Sequence, residues 1–225
     1  NDGGGYSSGD VVTITGGGAV NVTAENESEI SVNAKPSENG ATGDVGIGAS
    51  VALNIVANRS LADIGDGAAL SGAGAVSLTA SGTHEVSTTA QAGAAGGVAV
   101  TPVVALSLVS NKTRARIGTG GGLVSAGDVT VAADQVAQAT TTAQADAAGA
   151  KAAVGASVAL AIVTDEVLAT TARDVDSTGA VTFSALGSSS SVVEAKASAQ
   201  GAAAAEEDGT AEAGAPSDVD SVASS

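Results

Sequence analysis

The chain has 225 residues, with 24 acidic against 8 basic side chains, a formal net charge of −16 and 31 glycines. It holds no Cys, Met or Trp, and one each of Tyr, Phe and His. The acidity and scattered bases argue against a phosphate backbone as partner, and the absent Cys excludes disulfides and Cys-ligated zinc. So few aromatics leave only a thin core of Val, Ile, Leu and Ala, built in layers rather than as a globule.

Residues 1–17 form a Gly-rich lead-in that contains one short strand, Val11–Thr15. A unit of about 53 residues then recurs: repeat 1 spans 18–73, repeat 2 spans 74–126, repeat 3 spans 127–178, and a partial repeat 4 spans 179–203. Each unit opens with a Gly and a short alternating strand, GAVNVTA, GAVSLTA, GDVTVAA and GAVTFSA, starting 56, 53 and 52 residues apart. Val20/Val22, Val76/Leu78, Val129/Val131 and Val181/Phe183 should share one buried column. A more polar strand follows at Glu29–Ala34, Glu85–Ala92, Val136–Ala145 and Val192–Ala203. Glu25, Glu27 and Glu29 alternate onto one strand face. His84 is expected in a solvated turn ahead of that second strand.

Past a Gly/Ala-rich bend such as Ala92–Gly97 comes the most regular stretch: VGIGASVALNIV at 45–56, VAVTPVVALSLV at 98–109 and AAVGASVALAIV at 152–163. Leu53, Leu106 and Leu160 are 53 and 54 residues apart. Val45, Ile47, Val51, Leu53 and Ile55 point one way and Gly46, Gly48, Ser50, Ala52 and Asn54 the other, the period of a strand with one bulky and one nearly bare face. The bare face should permit close packing, within the fold or between molecules. A polar turn with Asn58 or Asn111 leads to Ala-Asp-Ile-Gly-Asp-Gly or Ala-Arg-Ile-Gly-Thr-Gly, while the third copy, Asp165–Asp174, diverges. Residues 204–225 are acidic and are expected to be disordered.

The pattern predicts an all-β chain, a β-solenoid (parallel β-helix-like) of 53-residue repeats with two rungs of about 26 residues in each. The alternative is a stack of antiparallel β-hairpins, since periodicity reveals strands and not their pairing.

No catalytic, cofactor-binding or metal-binding residue is assigned. Asp44, Asp63 and Asp66 are oxygen ligands of the kind calcium takes, yet Asp63 and Asp66 become Arg116 and Thr119 one repeat later. The sequons at Asn21, Asn26, Asn58 and Asn111 are read as turn chemistry before glycosylation. The longest apolar run is too short for a membrane helix, and membrane girdle aromatics are lacking. The start at Asn1 and the absent leader suggest a piece of a longer or processed chain.

At VGASVAL, A-x-IG-x-G and GDVTV the chain resembles the repeat regions of very large secreted bacterial surface proteins, the filamentous haemagglutinin and leukotoxin-like adhesins, over about 9–201. The resemblance implies an extracellular or cell-surface location and a non-catalytic role as stalk or self-assembling filament. Its partners would be the chain itself, by lateral or end-to-end association, or adjoining repeats of a longer protein, and surface glycans. The alternative is an acidic glycan- or mineral-binding module, calcium-dependent in one form.

Overall fold

The computed structural model describes residues 14–15, 17–36 and 43–201. Val11–Thr13 of the lead-in strand and the acidic tail at 204–225 lie outside the described residues. Every described element is a strand. They are β1 (Ile14–Thr15), β2 (Val20–Ala34), β3 (Val45–Ile47), β4 (Ser50–Ile64), β5 (Leu70–Ser71), β6 (Val76–Ile117), β7 (Leu123–Ser125), β8 (Val129–Thr171), β9 (Val175–Ser177) and β10 (Val181–Gln200).

All ladders among the described residues are parallel, so the antiparallel hairpin stack is not found. Val76 stands beside Val129, Val104 beside Val158, and Leu106 between Leu53 and Leu160. The hydrogen-bonded neighbour of a residue is therefore its counterpart one whole repeat away. The expected 26-residue rungs do not form; each 53-residue repeat supplies one rung, about 4.8 Å from the next.

Within a rung the chain runs out along one arm, turns at the Gly/Ala bend, and returns along a second. In β6 the arms are 76–95 and 98–117, and side chains of one meet side chains of the other. Ser107 Oγ donates to Thr88 Oγ1 at 2.7 Å, and Val86 and Val109 share a buried cluster. The register slips by one residue between Gly96 and Val98, which turns a 53-residue offset into 54. Rung 1 breaks between Ile47 and Ser50 beside Pro102, whose nitrogen has no proton to give the ladder.

The first-strand columns pack as the sequence predicts. Val76, Leu78, Val129 and Val131 are sealed, while Val181 and Phe183 on the last rung are uncovered. The end opposite the bend is closed by Leu70 and Leu123 on β5 and β7, short strands that escaped the sequence reading. A Leu 53 residues from a Leu, each followed by Ser-Gly or Val-Ser and then Ala-Gly, was the available signal.

On the second arm the enclosed face is the small one, the close packing within the fold that its bare face permits. The small face lies inside, with Ala52 1 %, Ala105 0 % and Ser107 0 % exposed. The bulky face lies outside, with Val51 69 % and Ile55 70 % exposed. The opposing arm presents Ala90, Ala92 and Thr88 to this space, so the layers come too close for Leu or Ile between them. Ser50 and Ser107 on the buried face are satisfied across the layer, by the Ala34 carbonyl and by Thr88 and Thr141, while Asn54 Nδ2 and Thr101 Oγ1 are enclosed without a partner.

Candidate functional site

Three features outside the simple aliphatic core carry chemistry: a buried polar column, an ion-paired turn, and the uncovered outer face of the second arms.

The polar column runs through the middle of the slab. Asn58 Nδ2 donates to Asn111 Oδ1 at 2.9 Å, and Asn111 Nδ2 donates to Asp165 Oδ1 at 2.8 Å. Gln135 Nε2 donates to the same carboxylate oxygen at 3.0 Å, and Ser189 Oγ donates to Asp165 Oδ2 at 2.5 Å. Thr113 Oγ1 donates to Gln135 Oε1 at 2.9 Å. Asn58 and Asn111 therefore sit in strands, not in the turn expected of them, and Asn111 is 1 % exposed, closed to a glycan in the folded chain. Asn26 Nδ2 donates to the Arg59 carbonyl at 3.1 Å.

His84 belongs to this column. It was expected in a solvated turn, but it lies within β6 at 2 % exposure, with Ser28 Oγ 2.9 Å from Nδ1 in a hydrogen bond. Its counterpart Ser28 is likewise in a strand, so Gly82-Thr83 is an extended run, and the absent Cβ of Gly82 leaves room for the imidazole, whose Nε2 would stand 2.8 Å from one. Its Nε2 is buried with no partner. Burial pushes the imidazole below its ordinary value of 6.5, opposed by the Asp165 carboxylate. A depressed basic pKa means the unfolded state takes the proton first. Stability is then full above about pH 6.5 and falls as the pH drops from there towards the native pKa. The urea midpoint of the intact chain should fall between pH 8 and pH 5.5, and His84→Gln should flatten that fall; an equal fall in both proteins contradicts it.

The carboxylates singled out in the sequence divide by position. Asp63 receives Nε and Nη2 of Arg116 at 3.0 and 3.1 Å. Asp66 accepts the Thr119 N–H at 2.7 Å, and Arg116 Nη1 stands 3.7 Å away. Thr119 first, then the cation, holds Asp66 below the usual carboxylate range, and Asp63 raises Arg116. The change from Asp63 and Asp66 to Arg116 and Thr119 is thus complementarity between adjacent rungs. Lys112 and Arg114 both pair with Glu166 in the same way. Glu25, Glu27 and Glu29 lie exposed on the outer face of the first arm, apart from these pairs, as does Asp44 at the bend. No group of three or more His, Cys, Asp or Glu able to hold a metal occurs among the described residues.

Arg173 was missed. Its guanidinium is buried against the carbonyls of two other repeats: Nε donates to Gly118 O at 2.5 Å, Nη1 to Ala68 O at 2.6 Å, and Nη2 to Thr119 O at 2.9 Å and Gly65 O at 3.1 Å. The divergence of Asp165–Asp174 from the repeat pattern was the only trace it left.

The outer face of the second arms is aliphatic. Columns Val45/Val98/Ala152, Ile47/Val100/Val154, Val51/Val104/Val158, Leu53/Leu106/Leu160 and Ile55/Leu108/Ile162 run in register across three rungs. Ala49, Pro102 and Ala156 fill the column left between them, so no polar side chain interrupts the face. The first arm's outer face is polar over the same rungs. No protein-family model matches the sequence, and neither a curated protein nor a solved structure proves similar to it.

Proposed function

We propose that the chain is a non-catalytic structural segment, a β-solenoid that extends end to end as a filament of a bacterial cell surface. The supporting observation is the pair of open ladders at its two ends. Among the described residues, β2, β3 and β4 pair only towards β6, while β10 and the 152–171 arm of β8 pair only on their β6 side of the stack. Both ends offer parallel edges with the same columns, which pair with further rungs of a longer chain or of another copy. The surface location and the adhesin-like role rest on the resemblance of VGASVAL, A-x-IG-x-G and GDVTV to filamentous adhesin repeats.

One rung per repeat favours a fibre over a distance-spanning stalk. At about 4.8 Å per rung, a reach of about 100 Å would take about 1,100 residues. The glycan- or mineral-binding alternative draws on exposed carboxylates such as Glu25, Glu27, Glu29 and Asp44, with Asp63 and Asp66 engaged by Arg116 and Thr119.

Light scattering and negative-stain electron microscopy of the intact chain, with calcium and with chelator, test the proposal. Concentration-dependent elongation in both conditions is expected. Monodisperse particles throughout, or association only with calcium, would overturn it.

A further inference from the structure

We propose that the aliphatic outer face of the second arms is a lateral interface, and that its occupant is a second copy of this chain packed face to face. This goes beyond end-to-end extension and does not rest on it, because that uses backbone edges and this uses side chains.

The first argument is the pattern of burial. A strand with one bulky and one small face normally buries the bulky one; here Val51, Leu53, Val158 and Leu160 are 49–69 % exposed while the small residues are enclosed. The layer inside has no room for them, and no other described residue covers them. A contiguous apolar patch beyond a few hundred Å² marks an interaction site.

The second argument is area. Six columns at about 3.3 Å per residue and three rungs at about 4.8 Å, with the side-chain margins, cover about 500–600 Å². Two such faces bury about 1,000–1,200 Å² in total, the lower end of specific interfaces. Each added rung enlarges it, so lateral pairing strengthens as a stack grows.

The third argument is what the rim carries. The chain's net charge of −16 would oppose self-association, but Glu25, Glu27 and Glu29 lie on the other outer face of the slab. The second-arm face is bordered by Lys112 and Arg114 with Glu166, a mixed-sign rim. A bilayer fits less well: among the described residues no Trp or Tyr lines the rim, and the excess negative charge is repelled by anionic headgroups. A second aliphatic sheet is complementary, since ridges such as Leu53/Leu106/Leu160 seat between ridges of the facing sheet. A two-fold arrangement presents the same patch from both copies and closes the contact.

Sedimentation velocity and thiol cross-linking test this on the intact chain. The wild type should sediment at twice the chain mass or a multiple of it. L53E/L106E/L160E should halve the lateral assembly mass with unchanged circular dichroism, because all three side chains face outward. As the chain has no Cys, Val104→Cys should form an intermolecular disulfide in air, whereas Thr83→Cys on the polar face should not. The cysteine pair decides the matter if the triple variant fails to fold. A wild type at chain mass at every concentration would overturn the proposal, as would equal cross-linking at Thr83. So would co-flotation with phosphatidylcholine vesicles in place of Val104 cross-linking. Cross-linked pairs without filaments would support the lateral interface and refute end-to-end extension.

Discussion

Replacing Arg173 with Ala should lower the unfolding free energy by about 3–4 kcal/mol, the scale of several charge-assisted hydrogen bonds lost together. The guanidinium contacts carbonyls of Gly65 and Ala68 in repeat 1 and of Gly118 and Thr119 in repeat 2, so one side chain ties three rungs at the end of the slab. Arg173→Lys should recover less than half of the loss, since an ammonium lacks the planar fork that reaches carbonyls on several sides. Equilibrium urea unfolding reads both variants. A change below about 1 kcal/mol in Arg173→Ala would place it among ordinary surface substitutions and contradict the contacts.

The second large effect is expected at Gly48 and Gly155. A Cβ at Gly48 would stand closer than 3.0 Å to the carbonyl oxygen of Gly93, and one at Gly155 equally close to that of Ser198. The obstacle is backbone, which cannot swing aside as a side chain does. Gly48→Ala should cost about 1–3 kcal/mol, the range of overpacking, and Leu at either position more than that. Circular dichroism and urea unfolding would read the loss. Gly48→Leu with wild-type stability would show that the small face is not enclosed.

The period, the shared columns and the all-β character were legible from the sequence, because in-register stacking repeats the same residue type at the same position. Val20, Val76, Val129 and Val181 announce their column without reference to any partner arm. Which face of the second arm lies inside was not legible. Alternation separates Leu53 from Ala52, but the choice is made by what stands opposite, Ala90 and Thr88, and nothing in the local sequence names the opposing arm. Rung length was hidden likewise: short strands and turns suit two small rungs as well as one large one. Asp63 becoming Arg116 looked like the loss of a site, and it became an ion pair only once the two positions were neighbours. His84 and Arg173 were obscured for the same reason, since their partners Ser28, Gly65 and Ala68 lie one or two repeats away.

Spin labels at Thr83 and Val136 test the one-repeat rung most directly. The two positions are exposed, lie on the polar outer face and are paired in adjacent strands. With one rung per 53-residue repeat, their backbones lie about 4.8 Å apart, and the doubly labelled chain should show strong spin–spin broadening. The pair Thr83 and Ser188 should be more weakly coupled, two rungs or about 10 Å apart. Weak coupling between Thr83 and Val136, equal to that between Thr83 and Ser188, would contradict the register on which the edges, the buried small face and the aliphatic outer face all depend.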